Sequence, residues 1–288
     1  MLKMVYFDSL HKSLSVFSRN WKIVVPSLFG FLMASAFALI FIYINNLFPL
    51  ILRDPSGLFV SGGLSAIAKK ISSVLITQSH LMKIIISLIA FFVANFFVGS
   101  GLIAVKFTMI NDVLKGKKVG LVKAFFDSGK YYWRVIEMRV MVFIFIIILS
   151  LIVGLPIFIL FSSLGGSSFM AAILVILVLL LIRLFLLFRY PILFRDDVGV
   201  SPALIKSMGL FKSKTKYVLS VWLIIIGLLF VVSILSEFGR VVIGDLYYGL
   251  ASLAIILIVF YVIKELILVF VNTFIDIFLF ISYLKRRK

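Results

Sequence analysis

The chain has 288 residues, of which 64% are hydrophobic and only 14% are charged. A soluble domain carries roughly 25% charged residues, so the composition excludes a water-soluble globular protein. The mean hydropathy of +1.26 instead predicts that lipid surrounds most of the chain. The net charge is +18, and because the basic residues cluster between apolar segments, we expect anionic lipid headgroups as partners and no nucleic acid. The absence of cysteine excludes disulfides, thiolate metal sites and a cysteine nucleophile.

Six apolar segments are each long enough for the ~20 residues with which a helix crosses the hydrocarbon. In chain order they cover residues 23–52, 84–106, 140–161, 169–188, 217–235 and 250–283. The sixth stays apolar beyond the thickness required, so its end is expected to tilt, to bend onto the surface or to project against surface helices. The sequence therefore predicts an all-α, polytopic membrane protein whose residues 1–288 form a single integral membrane domain.

The distribution of basic residues predicts the orientation. An even number of spans places both termini on the same side of the membrane. That side holds 22 of the 29 Lys and Arg residues, and the opposite side holds five: Arg53, Lys69, Lys70, Lys83 and Arg240. Because translocation of basic segments is disfavoured, the richer side is predicted to be cytoplasmic. We expect a multi-pass protein of the cell membrane with cytoplasmic N and C termini.

Three amphipathic stretches precede spans on this basic side, and each predicts a helix that lies on the cytoplasmic membrane surface. The first has an apolar stripe from Tyr6 to Trp21, and the second has a polar stripe from Lys123 to Arg134. The third starts at Ser201, whose side chain suits a helix cap. Each stretch is followed by two spans, which predicts three hairpins, each preceded by a cytoplasmic amphipathic helix, in pseudo-repeats of about 1–113, 114–197 and 198–288.

Basic side chains on these stretches are the predicted contacts with anionic lipid headgroups. They are Lys12, Arg19, Lys123, Lys130, Arg134, Lys206, Lys212 and Lys214. Two roles remain open for the surface helices. They anchor the ends of the spans and fix the topology, with Trp and Tyr at headgroup level, or they recognise a particular lipid or a protein partner.

The stretch YPILFRDDVGVSPALIKSMGLFK, residues 190–212, interrupts the apolar sequence between the fourth and fifth spans. It joins an aromatic–Pro pair, an acidic residue with Gly, and a spaced pattern of Ala-Leu, Ser, Leu and Lys. In this it resembles poorly characterised six-span prokaryotic membrane proteins and the membrane domain attached to some glycerophosphodiester phosphodiesterases. The resemblance implies a membrane protein rather than a phosphodiesterase, because the soluble phosphodiesterase domain is not among these residues. No functional residue is carried over from it.

Residues that enzymes commonly use are scarce in this sequence. The two histidines, His11 and His80, are predicted on opposite sides of the membrane, so they cannot share a metal site. The sequence contains no HExxH, P-loop or Gly-x-Ser-x-Gly pattern. Asp196 and Asp197 are adjacent and point in different directions, so we interpret them as a helix cap or as partners of Arg195. No catalytic, metal-binding or cofactor-binding residue is predicted, and we expect a non-enzymatic protein without a cofactor.

Charged residues inside spans are the remaining candidates for a site, because each costs about 2.5–3.5 kcal/mol on insertion scales. Arg183 in the fourth span and Glu265 in the sixth lie at matching depths on helices that run in the same direction. The sequence predicts that they approach each other or share a polar cavity with Lys264. The alternatives are a buried ion pair that fixes helix register, or snorkelling of Arg183 and Lys264 toward the cytoplasm.

Two functions from different classes follow from these patterns. In the first, the protein organises lipids or partner proteins through its basic surface helices. In the second, it transports a small solute or a lipid through a polar site around Arg183, Lys264 and Glu265. The external connection over residues 53–82 has apolar residues at helical spacing, which predicts a helix on the outer surface.

Overall fold

The computed structural model describes residues 2–45, 78–118, 120–156, 159, 168–247 and 254–287. Within these ranges the chain is helical and contains no strand. The helices are α1 (Leu2–Arg19), α2 (Val25–Ile44), α3 (Gln78–Leu114), α4 (Leu121–Leu149), α5 (Ser168–Phe185), α6 (Arg189–Arg195), α7 (Val200–Ser213), α8 (Thr215–Tyr247) and α9 (Ala254–Arg287). A 3₁₀ turn over Trp21–Val24 joins α1 to α2, and a π turn over Ser150–Gly154 extends α4.

Six helical stretches are long and apolar enough to cross a membrane. They are Trp21–Ile44, Met82–Leu114, Leu121–Gly154, Ile176–Arg195, Thr215–Gly239 and Val259–Arg286. The chain is therefore an all-α, multi-pass membrane protein, and the prediction of six spans is confirmed. Most of the predicted external connection over residues 53–82 lies outside the described part of the chain.

Local sequence signals explain several helix ends. Pro26 lies in the first turn of α2, where its missing N–H removes no helical hydrogen bond. At the other end, the carbonyl of Phe41 accepts hydrogen bonds from both the backbone N–H of Asn45 at 3.2 Å and its Nδ2 at 2.8 Å. After α3 the chain reverses at Gly116, whose φ of 78° is a left-handed conformation that glycine adopts without steric cost.

The structure divides into two compact units. The first unit comprises Met1–Ile23, Ile103–Gly227 and Thr273–Lys288, and the second comprises Val24–Leu102 and Leu228–Asn272. Twenty-three of the 29 Lys and Arg residues belong to the segments of the first unit. This unit therefore contains the basic side of the protein. The predicted repeat boundaries stay a prediction.

The first unit has an aromatic core centred on Phe107 of α3. The Phe107 ring centroid lies 4.8 Å from that of Tyr190 and 5.5 Å from those of Phe194 and Phe280. These rings come from α3, α6 and α9, so the core joins segments that are far apart in sequence. Residues that are fully buried in the same unit include Met109, Ile110, Met138, Phe188, Ile192 and Phe278. Such burial is typical of a globular protein core.

The second unit has the composition expected of helices that face lipid. Large apolar side chains such as Leu39, Phe92 and Phe230 are exposed on its helices. Within the unit, Nδ2 of Asn45 donates to Oγ of Ser87 at 2.8 Å and so ties the end of α2 to α3. Polar contacts of this kind stabilise helix association where no hydrophobic driving force acts between the helices.

The middle one of the three predicted surface helices is not a separate element. Residues 123–134 form the first turns of α4, which continues without a break into the third span. Its buried face carries Ala124, Ser128 and Tyr131, while Phe126 on the opposite face is exposed. With the π turn the stretch Leu121–Gly154 has 34 residues and a length of about 51 Å, whereas the hydrocarbon is ~30 Å thick. The helix is therefore long enough both to cross the membrane and to pack in the first unit.

The end of α9 explains the excess length of the sixth apolar segment. The helix is continuous over Ala254–Arg287, and most residues of its last turns are buried in the first unit. Phe274 meets Phe17 of α1 edge-on at 6.2 Å between centroids. The hydroxyl of Tyr217 on α8 donates to the carbonyl of Ser282 at 2.8 Å. The last turns of α9 therefore pack against α1, one of the three predicted surface helices, and against α8.

The inward face of α1 matches the predicted apolar stripe in part: Tyr6 stacks on Tyr217 at 5.6 Å between ring centroids and Phe17 packs on Phe274. Ser9 and Ser13 are buried, whereas Leu14 and Trp21 of the stripe are exposed. The hydroxyl of Ser13 donates to the carbonyl of Ser9 at 2.6 Å, so burial leaves it with a hydrogen bond. Small side chains allow close approach of helices, which explains why α1 packs on its serine-bearing face.

Candidate functional site

Asp196 and Asp197 form the turn between α6 and α7, which we call the aspartate turn. Asp197 has a φ of 50°, a left-handed conformation that Asp tolerates better than most residues with a side chain. Its Oδ1 accepts a hydrogen bond from Nη1 of Arg134 at 2.7 Å, and its Oδ2 accepts one from Nζ of Lys130 at 3.3 Å. Both donors lie on α4, so this carboxylate fixes the turn to the start of the third span.

Asp196 links the turn to two other helices. Its side chain is only 8% exposed. Oδ2 accepts a hydrogen bond from the hydroxyl of Tyr283 on α9 at 2.9 Å and another from Nζ of Lys206 on α7 at 3.3 Å. Hydrogen bonds to an ionised group are stronger than neutral ones, so Asp196 stabilises the positions of α7 and α9 together.

Asn111 of α3 holds the chain just before the aspartate turn. Its Nδ2 donates to the buried carbonyl of Phe194 at 2.9 Å, and its Oδ1 accepts a hydrogen bond from Nη1 of Arg195 at 3.4 Å. Together with Asp196 and Asp197, it connects the turn to α3, α4, α7 and α9. The stretch that interrupts the apolar sequence therefore forms a junction of the first unit.

The pKa values around the junction reflect crowded positive charge. Burial would raise the pKa of Asp197, but the hydrogen bonds and charges of Arg134 and Lys130 outweigh it and lower the pKa below its ordinary value. In the loop after α3, burial lowers the pKa of Lys115, and the charges of Arg195 and Lys117 lower it further. The surface at this end of the unit thus has a positive potential, which favours anions.

A short ion pair lies deeper in the first unit. Nζ of Lys106 on α3 is 2.6 Å from Oδ2 of Asp276 on α9, and the two side chains are 13% and 20% exposed. No local sequence pattern pairs these two residues, because they lie on helices that are far apart in the chain. Because the two opposite charges neutralise each other, the free-energy cost of holding them near the apolar core is lower than for either charge alone.

An open hollow of about 400 Å³ lies where α7 ends, α8 begins and α9 ends. We call it the basic hollow; its lining is Lys212, Ser213, Lys214, Thr215, Lys216, Tyr217 and Arg286. Four of these seven residues are cationic and none is acidic. Its volume falls within the ~300–1,000 Å³ of typical ligand sites. The hollow therefore has the charge and the size of a site for a small anionic group.

The cations of the basic hollow differ from those of the junction in their partners. Lys212 and Lys216 are exposed, and their side chains make no hydrogen bond or ion pair with any other residue that the structure describes. Nζ of Lys214 donates to the carbonyl of Arg286 at 2.7 Å, and the Arg286 guanidinium lies 4.6 Å above the Tyr217 ring. Nε of Arg286 is buried and has no hydrogen-bond partner among the described residues.

The structure separates the predicted lipid contacts into two groups. Lys130, Arg134 and Lys206 are bound to the carboxylates of the aspartate turn. Four of the others are exposed and form no ion pair with a described residue: Lys12, Arg19, Lys123 and Lys212. The last one, Lys214, lines the basic hollow. That any of the eight binds lipid stays a prediction. Sequence reasoning missed Lys216 and Arg286, although three lysines at alternate positions around Thr215 give a local signal.

The intramembrane charges fall in different units. Arg183 is exposed on α5 of the first unit, whereas Lys264 and Glu265 lie on α9 of the second. The approach of Arg183 to Glu265 therefore stays a prediction. Nζ of Lys264 lies 4.8 Å from the Tyr261 ring centroid. Lys264 also lines a cavity of about 90 Å³ whose other lining residues, apart from Ser236, are apolar.

The described residues contain no group of three His, Asp or Glu side chains that could hold a metal ion. The arrangement instead consists of cations around open space and a carboxylate turn that orders the helices behind them. These features define a multi-pass membrane protein with a basic, anion-attracting end. Comparison with protein-family models, with curated proteins and with solved structures found no match to this chain. The resemblance to phosphodiesterase membrane domains accordingly stays a prediction.

Proposed function

We propose that this membrane protein binds anionic lipid headgroups through its basic end and thereby organises lipids at the membrane surface. In this proposal the basic end is cytoplasmic, the membrane is the cell membrane, and the protein catalyses no reaction. The bound lipid is the partner, and a protein that docks on the lipid-loaded surface is compatible with the same role.

One observation carries the proposal. Five of the seven acidic residues of the first unit are in ion pairs with its own cations: Asp197 with Lys130 and Arg134, Asp196 with Lys206, Asp276 with Lys106, Asp112 with Lys117, and Asp8 with Lys285. The cations of the basic hollow have no such carboxylate among the described residues. An excess of unneutralised cations at one place supports an external anion as the missing counter-charge.

The position of these cations supports a lipid as the source of that anion. Thr215 starts one membrane span and Arg286 ends another, and both line the basic hollow. The ends of spans lie at the depth of the phosphate groups, and basic pockets between spanning helices favour anionic headgroups. Each Lys or Arg near an anionic surface contributes about 1 kcal/mol.

The proposal is tested with the full chain in nanodiscs that contain phosphatidylcholine alone or mixed with phosphatidylglycerol. Native mass spectrometry then counts the lipids that remain bound after release from the disc. We expect enrichment of phosphatidylglycerol over its fraction in the disc, and a smaller enrichment at higher salt because surface charges are screened. Lipids retained in proportion to the disc composition would contradict the proposal.

Transport around Arg183, Lys264 and Glu265 is the alternative. The cavity beside Lys264 is the relevant observation, and its volume of about 90 Å³ is well below the ~300 Å³ at which ligand pockets usually begin. Lipid binding at the basic end therefore has the stronger support. A flux of solute or lipid in proteoliposomes that Arg183→Ala abolishes, without loss of folded protein, would favour transport instead.

A further inference from the structure

We infer that the basic hollow is a specific site for the phosphate group of an anionic phospholipid. The inference rests on the proposed function and goes further, because it assigns a single site and a ligand chemistry instead of a diffuse attraction between basic helices and the membrane. It also adds Lys216 and Arg286 to the residues that contact the headgroup.

The charged side chains of the hollow offer hydrogen-bond donors, and its Ser and Thr hydroxyls offer only acceptor oxygens. The hydroxyls of Ser213 and Thr215 donate to the carbonyls of Leu210 and Phe211 at 3.4 and 2.7 Å, so their hydrogens are already used. Lysine ammonium and arginine guanidinium groups only donate. A ligand that fits must therefore accept several hydrogen bonds and carry negative charge, as a phosphate group does.

The unused donors converge on this space. Lys212 and Lys216 approach the hollow from the end of α7 and the start of α8, and neither side chain is bound to another described residue. On the α9 side, the Arg286 guanidinium is held against Tyr217, and its buried Nε has no hydrogen-bond partner among the described residues. A guanidinium fixed in this way loses little conformational freedom when it binds phosphate, which favours a defined site.

The backbone reinforces the same preference. The hollow includes the first turn of α8, a helix of 33 residues. The N–H of Tyr217 in this turn already donates to the carbonyl of Lys214 at 3.0 Å, but the helix dipole places partial positive charge at this end. The side-chain cations and the helix start thus act on an anion in the same place.

The test compares two double variants of the full chain that remove the same charge. Lys212→Gln with Lys216→Gln removes two exposed cations of the hollow, and Lys22→Gln with Lys118→Gln removes two exposed cations of the same unit that are not among the predicted headgroup contacts. Native mass spectrometry measures the apparent Kd of the first phosphatidic acid bound from phosphatidylcholine nanodiscs. Two lysines at about 1 kcal/mol each correspond to about thirtyfold in Kd, so the hollow variant should bind about thirtyfold more weakly, and the control should change by less than about twofold.

Arg286 is tested by charge-conserving and charge-removing changes. Arg286→Lys keeps the charge without the stacked guanidinium and should retain part of the affinity, and Arg286→Gln, which removes one cation, should bind about fivefold more weakly than the wild type. Because Arg286 also packs on Tyr217, the melting temperature of each variant is measured in detergent. The side chains of Lys212 and Lys216 make no such contact with a described residue. If Arg286→Gln fails to fold, the phosphate site is therefore tested by the double lysine variant.

Three outcomes would overturn the inference, and they are distinguishable. Equal weakening by both double variants would mean that lipid binds through the general surface charge, and the proposed function would stand without this site. Equal retention of phosphatidic acid and phosphatidylcholine by the wild-type protein would contradict the proposed function itself. Displacement of phosphatidic acid by inorganic phosphate at a comparable concentration would assign the site to a soluble phosphate compound instead of a lipid.

Discussion

Tyr283 and Asp196 share a hydrogen bond of 2.9 Å although 87 residues separate them in the sequence. The phenol of Tyr283 comes from the last turns of α9, and the carboxylate comes from the turn between α6 and α7. This contact is one of several by which α9 completes the first unit.

Tyr283→Phe removes this hydrogen bond and leaves the ring in place. Hydrogen bonds to charged groups contribute about 1.5–3 kcal/mol, and Asp196 keeps its bond to Lys206, so we expect a loss near the lower end of that range. The measurement is thermal unfolding of the full chain in detergent. Tyr132→Phe is the matched control, because no hydrogen bond of the Tyr132 hydroxyl to another described residue is present. Equal melting temperatures for the two variants would show that the contact contributes nothing.

The contribution of the aspartate turn to the stability of the folded protein should depend on pH through the ionisation of Asp197. Its pKa is lowered in the folded protein, so its contribution to stability is present above its ordinary pKa of about 3.9 and is lost as the pH falls through the lower, folded pKa. Asp197→Asn removes the charge but keeps a side chain that tolerates the left-handed φ of 50°. We expect the variant to melt below the wild type at neutral pH, and the difference to shrink at pH values below about 4. A difference that stays constant over this range would exclude the charge as its cause.

The Lys106–Asp276 pair should be sensitive to loss of either partner. Asp276→Asn leaves an unpaired ammonium in a largely buried place, and breaking a buried pair typically costs about 3–5 kcal/mol. Replacement of both residues, Lys106→Met with Asp276→Leu, removes both charges and should restore much of the stability. The comparison is made by thermal unfolding. A double variant as unstable as Asp276→Asn would show that the pair is required as an ion pair.

Two glycines of α8 should respond in opposite directions to the same change. A Cβ added at Gly239 would collide with the Phe260 ring, whereas one added at Gly227 would meet no atom within 4 Å. Gly227→Ala should therefore be neutral or stabilise the protein by up to about 1 kcal/mol through helix propensity. Gly239→Ala should destabilise it by about 1–3 kcal/mol, and Phe260→Leu should rescue that variant. Failure of the rescue would mean that the close approach to Phe260 is not what restricts Gly239.

The orientation can be tested by cysteine labelling, because the natural chain has no cysteine. Lys118→Cys and Lys83→Cys place exposed thiols near opposite ends of α3. A membrane-impermeant maleimide should label Lys83→Cys in intact cells and Lys118→Cys only after permeabilisation. The reverse pattern would place the basic end outside the cell and remove the basis for a cytoplasmic lipid surface.

The six membrane spans could be predicted from the sequence, but the polar contacts between the helices could not. A span requires a continuous apolar stretch of a certain length, and this is a local property that hydropathy detects. Asp196 and Tyr283 are brought together only by the packing of α6 and α9, which no local pattern encodes. For the same reason the sequence assigned Lys130, Arg134 and Lys206 to lipid without their carboxylate partners.

The surface helices show the limit of the amphipathic rule. That rule assumes that the apolar face of a helix is the one that packs, yet α1 buries Ser9 and Ser13 and exposes Leu14. The assumption fails where lipid lies next to protein, because an apolar side chain has a favourable environment on either side. Small residues then decide which face allows close packing.

The way in which the first unit is assembled from distant segments has a consequence for its synthesis. Residues 1–23 leave the ribosome long before Thr273–Lys288, yet both belong to the same packed unit. The early spans must therefore wait in the translocon or the bilayer with part of the core unfilled. The basic hollow, which Arg286 completes, would form only in the last stage of translation.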